Sequence, residues 1–121
     1  MHLPPDAVRL HHLAVLGPDP ATLAAFYAAM LGLPELRRAH DDSGIRAIWL
    51  DADGVILMFE RGPRGQNGVI VFASRPCTAG EWRARLGPYY DGRSDYTLYG
   101  RDPDGNRFGV SSFPDPIGTE G

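Results

Sequence analysis

The sequence predicts an α+β fold in which the order strand, helix, strand, strand occurs twice. Two short apolar runs each precede a segment with apolar residues at helical spacing. Two Asp-x-Asp-Gly turns each separate a pair of apolar segments, as in hairpins. The 15 glycines and 11 prolines indicate many tight turns between short elements.

The first half contains one strand, one helix and one hairpin. The apolar run 10–16 ends at Gly17-Pro18 and is predicted to be a strand. Asp19 and Pro20 supply an N-cap and a first-turn proline for a helix that Gly32 closes. Segments 44–50 and 55–60 flank the turn DADG and predict two antiparallel strands.

The second half repeats this order after a polar, glycine-rich linker at 61–67. Segment 69–73 is predicted to be a strand, and Thr78 with Glu81 forms a capping box for a shorter helix. Segments 96–100 and 106–112 flank the turn DPDG. A short additional strand in either half is compatible with the pattern.

Composition bounds the class of protein. With 121 residues, 43% hydrophobic and 22% charged, residues 1–121 are expected to form a single folded domain. The net charge of -3 and the scattered basic residues argue against nucleic acid as a partner. A single cysteine, Cys77, excludes an internal disulfide, and no apolar stretch is long enough for a membrane span, so a cytoplasmic location is expected.

The two halves also match residue by residue. Asp19-Pro20 matches Arg75-Pro76, Phe26 matches Trp82, and Asp53-Gly54 matches Asp104-Gly105. An internal duplication explains these matches, although Asp-x-Asp-Gly is a common turn that can arise twice independently.

Three segments, HHLAVLGPDPATLAAFYAAMLGLPEL, GVILMFE and YGRDPDGNRFGV, resemble the vicinal-oxygen-chelate superfamily, which includes glyoxalases, bleomycin-resistance proteins and extradiol dioxygenases. The resemblance implies tandem βαβββ modules, here 10–60 and 68–113 joined by the linker 61–67. It also implies a curved mixed sheet that lines a cleft, with helices on its outer face. Such proteins are commonly homodimers, so a homodimer is expected.

The resemblance also assigns four metal-ligand positions, of which this chain keeps one. His12 matches the first histidine, whereas Leu57, Gly68 and Gly109 stand at the other three positions. Leucine and glycine side chains cannot bind a hard divalent cation. The expectation is therefore no metal cofactor, the alternative being one Zn, Ni, Mn or Fe ion held by His12 with Glu60 or with residues of a partner.

Strand parity gives an expectation for the cleft. The loop after Leu50 places Arg46, Ile48, Leu57 and Phe59 on one face, and the arginine argues that this face lines the cleft. The same counting across DPDG places Tyr96 and Leu98 beside Arg107, Gly109 and Ser111. The predicted ligand-binding residues are His12, Arg46, Ile48, Leu57, Phe59, Phe72, Tyr96, Leu98, Gly109 and Ser111.

The sequence favours a binding protein over an enzyme, with no catalytic residue assigned. The leading hypothesis is metal-free binding or sequestration of a small aromatic or acidic ligand, as in bleomycin-resistance proteins, which implies a role in antibiotic resistance. His12 is a polar lining residue, a metal ligand or a base. Arg46 is a clamp for an oxyanion or a partner of Glu60. The alternatives are a metal-dependent lyase, isomerase or dioxygenase, and an interaction module without a ligand.

Overall fold

The computed structural model describes residues 11–64, 67–73, 78–112 and 115–118. The first half consists of β1 (His12–Gly17), α1 (Pro20–Leu31), β2 (Glu35–Asp41), β3 (Gly44–Ala52) and β4 (Val55–Arg61). The second half consists of β5 (Ile70–Ala73), α2 (Ala79–Leu86), a 3-10 turn (Gly87–Tyr89), β6 (Tyr90–Arg93), β7 (Thr97–Arg101) and β8 (Arg107–Ser111). The predicted α+β class and the tandem βαβββ order are confirmed, and β2 and β6 are the additional strands.

The helices begin and end at the predicted residues. Asp19 caps α1, because its carboxylate accepts hydrogen bonds from the Thr22 amide at 3.4 Å and the Thr22 hydroxyl at 2.6 Å. Gly32 ends α1 with φ of 69°, a left-handed conformation that glycine adopts without strain. The Thr78 hydroxyl caps α2 by accepting from the Glu81 amide at 3.1 Å.

The strands form two separate mixed sheets within the described residues. The first has the order β1-β4-β3-β2 and the second the order β5-β8-β7-β6. In each sheet the edge strand β1 or β5 pairs in parallel with the last strand of its module. The edges of β1 and β5 that face away from β4 and β8 make no ladder with another described strand.

One hydrophobic core serves both modules. Tyr27 on α1 stacks on Phe59 of the first sheet, with ring centroids 5.1 Å apart, and meets Phe108 of the second sheet edge-on at 5.4 Å. Leu23 and Leu86, one from each helix, are also buried in this cluster. Each sheet therefore packs one face against the helices and against the other module.

A polar network at the DPDG turn ties the modules together. The buried Asp102 carboxylate accepts hydrogen bonds from the Tyr27 hydroxyl at 2.8 Å, from both nitrogens of Asn106, and from the Asp104 amide. Burial, followed by the negative charge of Asp102, raises the pKa of the Tyr27 hydroxyl far above its ordinary value. The network is saturated with donors, so the Asp102 charge is stabilised without a cation.

The linker supplies one member of this network. The Asn67 side chain accepts from the Leu16 amide and donates to the Leu16 carbonyl, both at 2.8 Å. Its amide nitrogen also donates to the Asn106 side chain at 3.1 Å. Asn67 thus binds the edge of β1 as a neighbouring strand would.

Among the described residues, no helix is long and apolar enough to cross a membrane. Leu10, Cys77, the Arg75-Pro76 pair and Phe113 lie outside the described residues. The division into modules 10–60 and 68–113 and the duplication remain predictions.

Candidate functional site: the open faces of the two sheets

The face predicted to line a cleft in the first module is the core face. β3 and β4 pair Ile48 with Phe59 and Leu50 with Leu57. All four side chains are at most 1% exposed. The parity prediction correctly grouped these residues, but the inference that their face is the open one was wrong.

The reason for this error lies at Arg46. Ala39 of β2 pairs with Ala47, and the next residue, His40, pairs with Ile45, so Arg46 is the extra residue of a β-bulge. An exposed arginine at a bulge near a strand end says little about which face of the sheet is buried. It lies near the Asp41 carboxylate, whose pKa is lowered mainly by the hydrogen bond from Arg61 and slightly by Arg46.

In the second module, the parity prediction itself was wrong. Arg101 pairs with Arg107 across five loop residues, an odd number, because Asp102 folds the loop around its carboxylate. Leu98 consequently pairs with Val110 in the core and is fully buried, whereas Tyr99 pairs with Gly109. Leu98 therefore lies on the core side, and so does Phe72, which is packed between Val110 and Tyr27.

The opposite face of each sheet is called here its open face, because no described helix packs on it. In the first sheet this face carries Ala14, Met58 and Trp49, one from each of three adjacent strands in register. The Arg37 guanidinium of β2 lies over the Trp49 ring, 4.6 Å from its centroid. The row of apolar side chains therefore ends at Trp49, on whose ring the Arg37 guanidinium is stacked.

The open face of the second sheet carries a similar stack. Val71, Gly109 and Tyr99 form one row, and the Arg107 guanidinium lies 3.8 Å from the centroid of the Tyr99 ring. A Cβ at Gly109 would lie 2.7 Å from the Thr97 methyl and 3.2 Å from the Tyr99 ring. The Tyr99 ring therefore occupies the space that a side chain at 109 would need.

Asp91 fixes the position of the Arg107 guanidinium. Nη2 donates to the Asp91 carbonyl at 3.3 Å. Nε lies 3.3 Å from the Asp91 carboxylate, within ion-pair distance but without hydrogen-bond geometry. Nη1 has no partner among the described residues, so it keeps its donors for a further acceptor.

The remaining predicted residues are not brought into one site within the chain. His12 begins β1 on the open face of the first sheet, exposed, with its Nδ1 2.9 Å from Nδ1 of His11. Gly109 and Ser111 lie on the open face of the second sheet. Tyr96 precedes β7, and its carbonyl accepts a hydrogen bond from the Ser111 hydroxyl at 3.1 Å.

The side chains do not fit the metal site that the resemblance implies. Leu57 points into the core, and the Tyr99 ring and Thr97 methyl fill the space beside Gly109. Glu60, the alternative ligand, pairs with Leu16, four residues along the sheet from the level of His12. That separation is about 13 Å, too far for one ion. No group of three His, Cys, Asp or Glu side chains in the described part of the chain is arranged to hold a metal.

Sequence reasoning missed the two aromatic residues of the open faces. Trp49 is absent from the predicted ligand-binding residues because Arg46 pointed to the opposite face of its strand, and Tyr99 is absent because the odd loop shifts the strand by one residue. The signal available for Tyr99 was the sequence DPDGN, in which an aspartate can accept from amides two and four residues later.

Comparison with solved structures shows that this fold is shared with known proteins. The fosfomycin resistance protein FosX from Listeria monocytogenes (pH 5.75 form) superposes with a TM-score of 0.73 at 18% identity, covering 93% of each chain. FosX from Mesorhizobium loti gives 0.71 at 15% identity, covering 86% of this chain and 90% of its own. A lactoylglutathione lyase from Agrobacterium tumefaciens gives 0.62 at 20% identity, covering 90% and 95%.

These structures have the vicinal-oxygen-chelate fold, and so does this chain. The fold expected from the sequence motifs is therefore confirmed. No family model and no curated protein sequence matches the chain.

Proposed function

We propose that this protein binds a small aromatic or acidic molecule on the open faces of its sheets, without a metal ion of its own. The observation that carries the proposal is the Arg107 guanidinium, which Tyr99 and Asp91 hold beside the position of a metal-ligand glutamate. A guanidinium binds carboxylate and phosphonate oxygens through paired N–H donors. The positive charge that a cation supplies to an anionic ligand would here come from arginine.

The aromatic part of the ligand has a platform on each sheet. An arginine guanidinium stacks on each ring, Arg37 on Trp49 and Arg107 on Tyr99. Each ring also has an apolar residue in its row, Met58 for Trp49 and Val71 for Tyr99. Ligand sites typically combine apolar walls with a few orienting polar groups. A ligand with an aryl body and an acidic group matches this combination.

Two copies of the chain are proposed to form the complete cleft. Within one chain the helix-bearing faces of the sheets share a core, so the two open faces belong to separate sheets. Apart from Leu16, whose backbone Asn67 binds, the outer edges of β1 and β5 make no ladder with another described strand. They expose Leu13 (37%) and Val71 (49%), and such edges favour pairing with another chain. Pairing β1 of one copy with β5 of the second would place Trp49 and Tyr99 on opposite walls of one cleft.

The fold neighbours suggest which acid to test first. One FosX structure from Listeria monocytogenes is described in complex with Mn(II) and 1S,2S-dihydroxypropylphosphonic acid. A phosphonic acid with an aromatic body, such as phenylphosphonic acid, therefore combines the two features proposed here. Sequestration of an acidic antibiotic at this site would confer resistance without a chemical step.

The direct test is calorimetric titration of phenylphosphonic acid into the wild type, Arg107→Gln and Arg85→Gln. Arg85 lies on α2, away from the open faces, and serves as the matched control for loss of one positive charge. Arg107→Gln should weaken binding about tenfold or more, because a hydrogen bond to a charged group is lost. Arg85→Gln should bind as the wild type does, and equal weakening by both variants would reject the proposal.

The dimer is tested separately by light scattering after size-exclusion chromatography. Val71→Lys places a charge on the exposed edge of β5 and should convert a dimer to a monomer. A wild-type protein that is monomeric throughout would reject the two-chain cleft.

A further inference from the structure

A cavity lies between the modules, away from the open faces. Its volume is about 330 Å³, near the lower end of the range typical of small-ligand pockets. Among the described residues that line it, apolar side chains form most of the wall and Asp53 is the one charged residue. The lining includes Leu31, Leu33, Phe72, Trp82, Val110 and Asp53.

Comparison of the two βαβββ modules shows where the space for this cavity comes from. The corresponding site beside Gly17 and Asp104 has no such space. A Cβ on Gly17 would lie 2.3 Å from the Asp104 carboxylate and 2.5 Å from Leu23. By the alignment of the two halves, Ala73 corresponds to Gly17, Asp53 to Asp104, and Ala79 to Leu23. The smaller Ala79 and the eight-residue α2, against twelve residues in α1, leave space beside Asp53.

At this corresponding site the Asp104 carboxylate already has a cationic partner. Asp104 is only 10% exposed at its side chain, and its partner is the Arg64 guanidinium, with Nε 3.4 Å from Oδ1. Asp53, the matching residue, is exposed and forms no ion pair with any described residue. Its position is fixed, because Asp53 and Gly54 form a tight hairpin turn with φ of 55° and 94°.

The aromatic wall favours the same kind of ligand. Trp82 lines the cavity, and the Arg85 guanidinium lies 5.3 Å from the centroid of one of its rings. Tryptophan attracts cations through the negative face of its ring system. A carboxylate beside a tryptophan and a phenylalanine is suited to a positively charged group on an apolar body.

We propose that the cavity between Asp53 and Trp82 binds a small organic cation, an ammonium or guanidinium group carried on an aryl or alkyl body. The cation would pair with the Asp53 carboxylate, as Arg64 pairs with Asp104, and the body would occupy the space between Leu31, Phe72 and Val110. This site is independent of the anion-binding open faces, since the two share no proposed contact residue.

The test compares 4-phenylbutylamine with 4-phenylbutanol, which has the same body without the charge, by calorimetry at low ionic strength. The wild type should bind the amine about three- to tenfold more tightly than the alcohol. Asp53→Asn should abolish this preference, because asparagine retains the turn conformation and removes the charge. Asp42→Asn, in the exposed turn between β2 and β3, is the matched control and should retain it.

Two further variants locate the binding. Ala52→Leu adds a side chain at the cavity wall and should weaken both compounds, with thermal unfolding used to confirm that the variant is folded. Arg107→Gln should leave amine binding unchanged, which separates this site from the proposed function. The proposal is overturned if neither compound binds the wild type, if both bind equally, if Asp53→Asn keeps the preference, or if folded Ala52→Leu binds as the wild type does.

Discussion

The Tyr27 hydroxyl on α1 lies 2.8 Å from the Asp102 carboxylate in the DPDG turn of the other module. Both residues are buried, and the bond joins elements 75 residues apart in the chain. Hydrogen bonds of this kind are short-range and directional, so this bond sets the position of the turn relative to α1. The network around Asp102 therefore fixes the arrangement of the two modules as well as the fold of the loop.

Tyr27→Phe should lower the free energy of unfolding by about 1.5–3 kcal/mol, because a buried carboxylate loses one of its donors. Urea denaturation measures this change. Tyr89→Phe is the matched control: Tyr89 is 40% exposed, and its ring contact with Phe26 survives removal of the hydroxyl. A change of less than about 0.5 kcal/mol in Tyr27→Phe, the range of ordinary surface substitutions, would contradict the role assigned to this bond.

The same hydroxyl predicts how stability depends on alkaline pH. The folded-state pKa of Tyr27 is raised, so its neutral form contributes stability that is fully present below the unfolded pKa of about 10. Above that pH the unfolded chain loses this proton while the folded chain keeps it, and stability should fall by about 1.4 kcal/mol per pH unit. All basic side chains other than histidine are arginine, so no lysine titrates in this window. Denaturation midpoints from pH 9 to about pH 11 should show the decrease in the wild type and a smaller one in Tyr27→Phe.

Asn67→Ala should destabilise the fold by about 2–4 kcal/mol, since the backbone groups of Leu16 and the side chain of Asn106 each lose a partner. Asn67→Asp keeps the acceptor for the Leu16 amide but loses both donated bonds. Its second carboxylate oxygen would face the Leu16 carbonyl and the Asn106 side-chain oxygen, so its unfolding free energy should be no higher than that of the alanine variant. If Asn67→Ala is as stable as the wild type, the linker does not hold β1 in solution.

Gly109→Ala should cost about 1–3 kcal/mol, because its Cβ would overlap the Thr97 methyl and press on the Tyr99 ring. Displacement of Tyr99 should also release Arg107 and weaken binding of phenylphosphonic acid. Gly68→Ala is the matched control, with open space around the added Cβ and no positive φ. Unfolding free energies of the two variants, measured side by side, should differ by the predicted amount.

Local rules predicted the elements of this fold well. The caps at Asp19, Gly32 and Thr78 and the Asp-Gly hairpin turn all depend on residues within a few positions of one another. Such signals are readable from the sequence because the backbone geometry they require is local.

The faces of the sheets could not be predicted in the same way. The face bearing Ile48 and Phe59 and the face bearing Trp49 and Met58 are both apolar, so the pattern alone does not show which one α1 covers. The bulge at Arg46 and the odd loop at Asp102 each shift the side-chain alternation by one residue. The bulge lies in the pairing of β2 with β3, and the odd loop closes around the Asp102 carboxylate, which also accepts from Tyr27 on α1.

The most direct test of the central claim is titration of phenylphosphonic acid into the wild-type protein in the presence of EDTA. Because Arg107 supplies the positive charge in this account, binding should persist unchanged when divalent metals are removed. Binding that disappears in EDTA and returns with Mn²⁺, and that is lost in His12→Ala, would contradict the account and indicate a metal-dependent site.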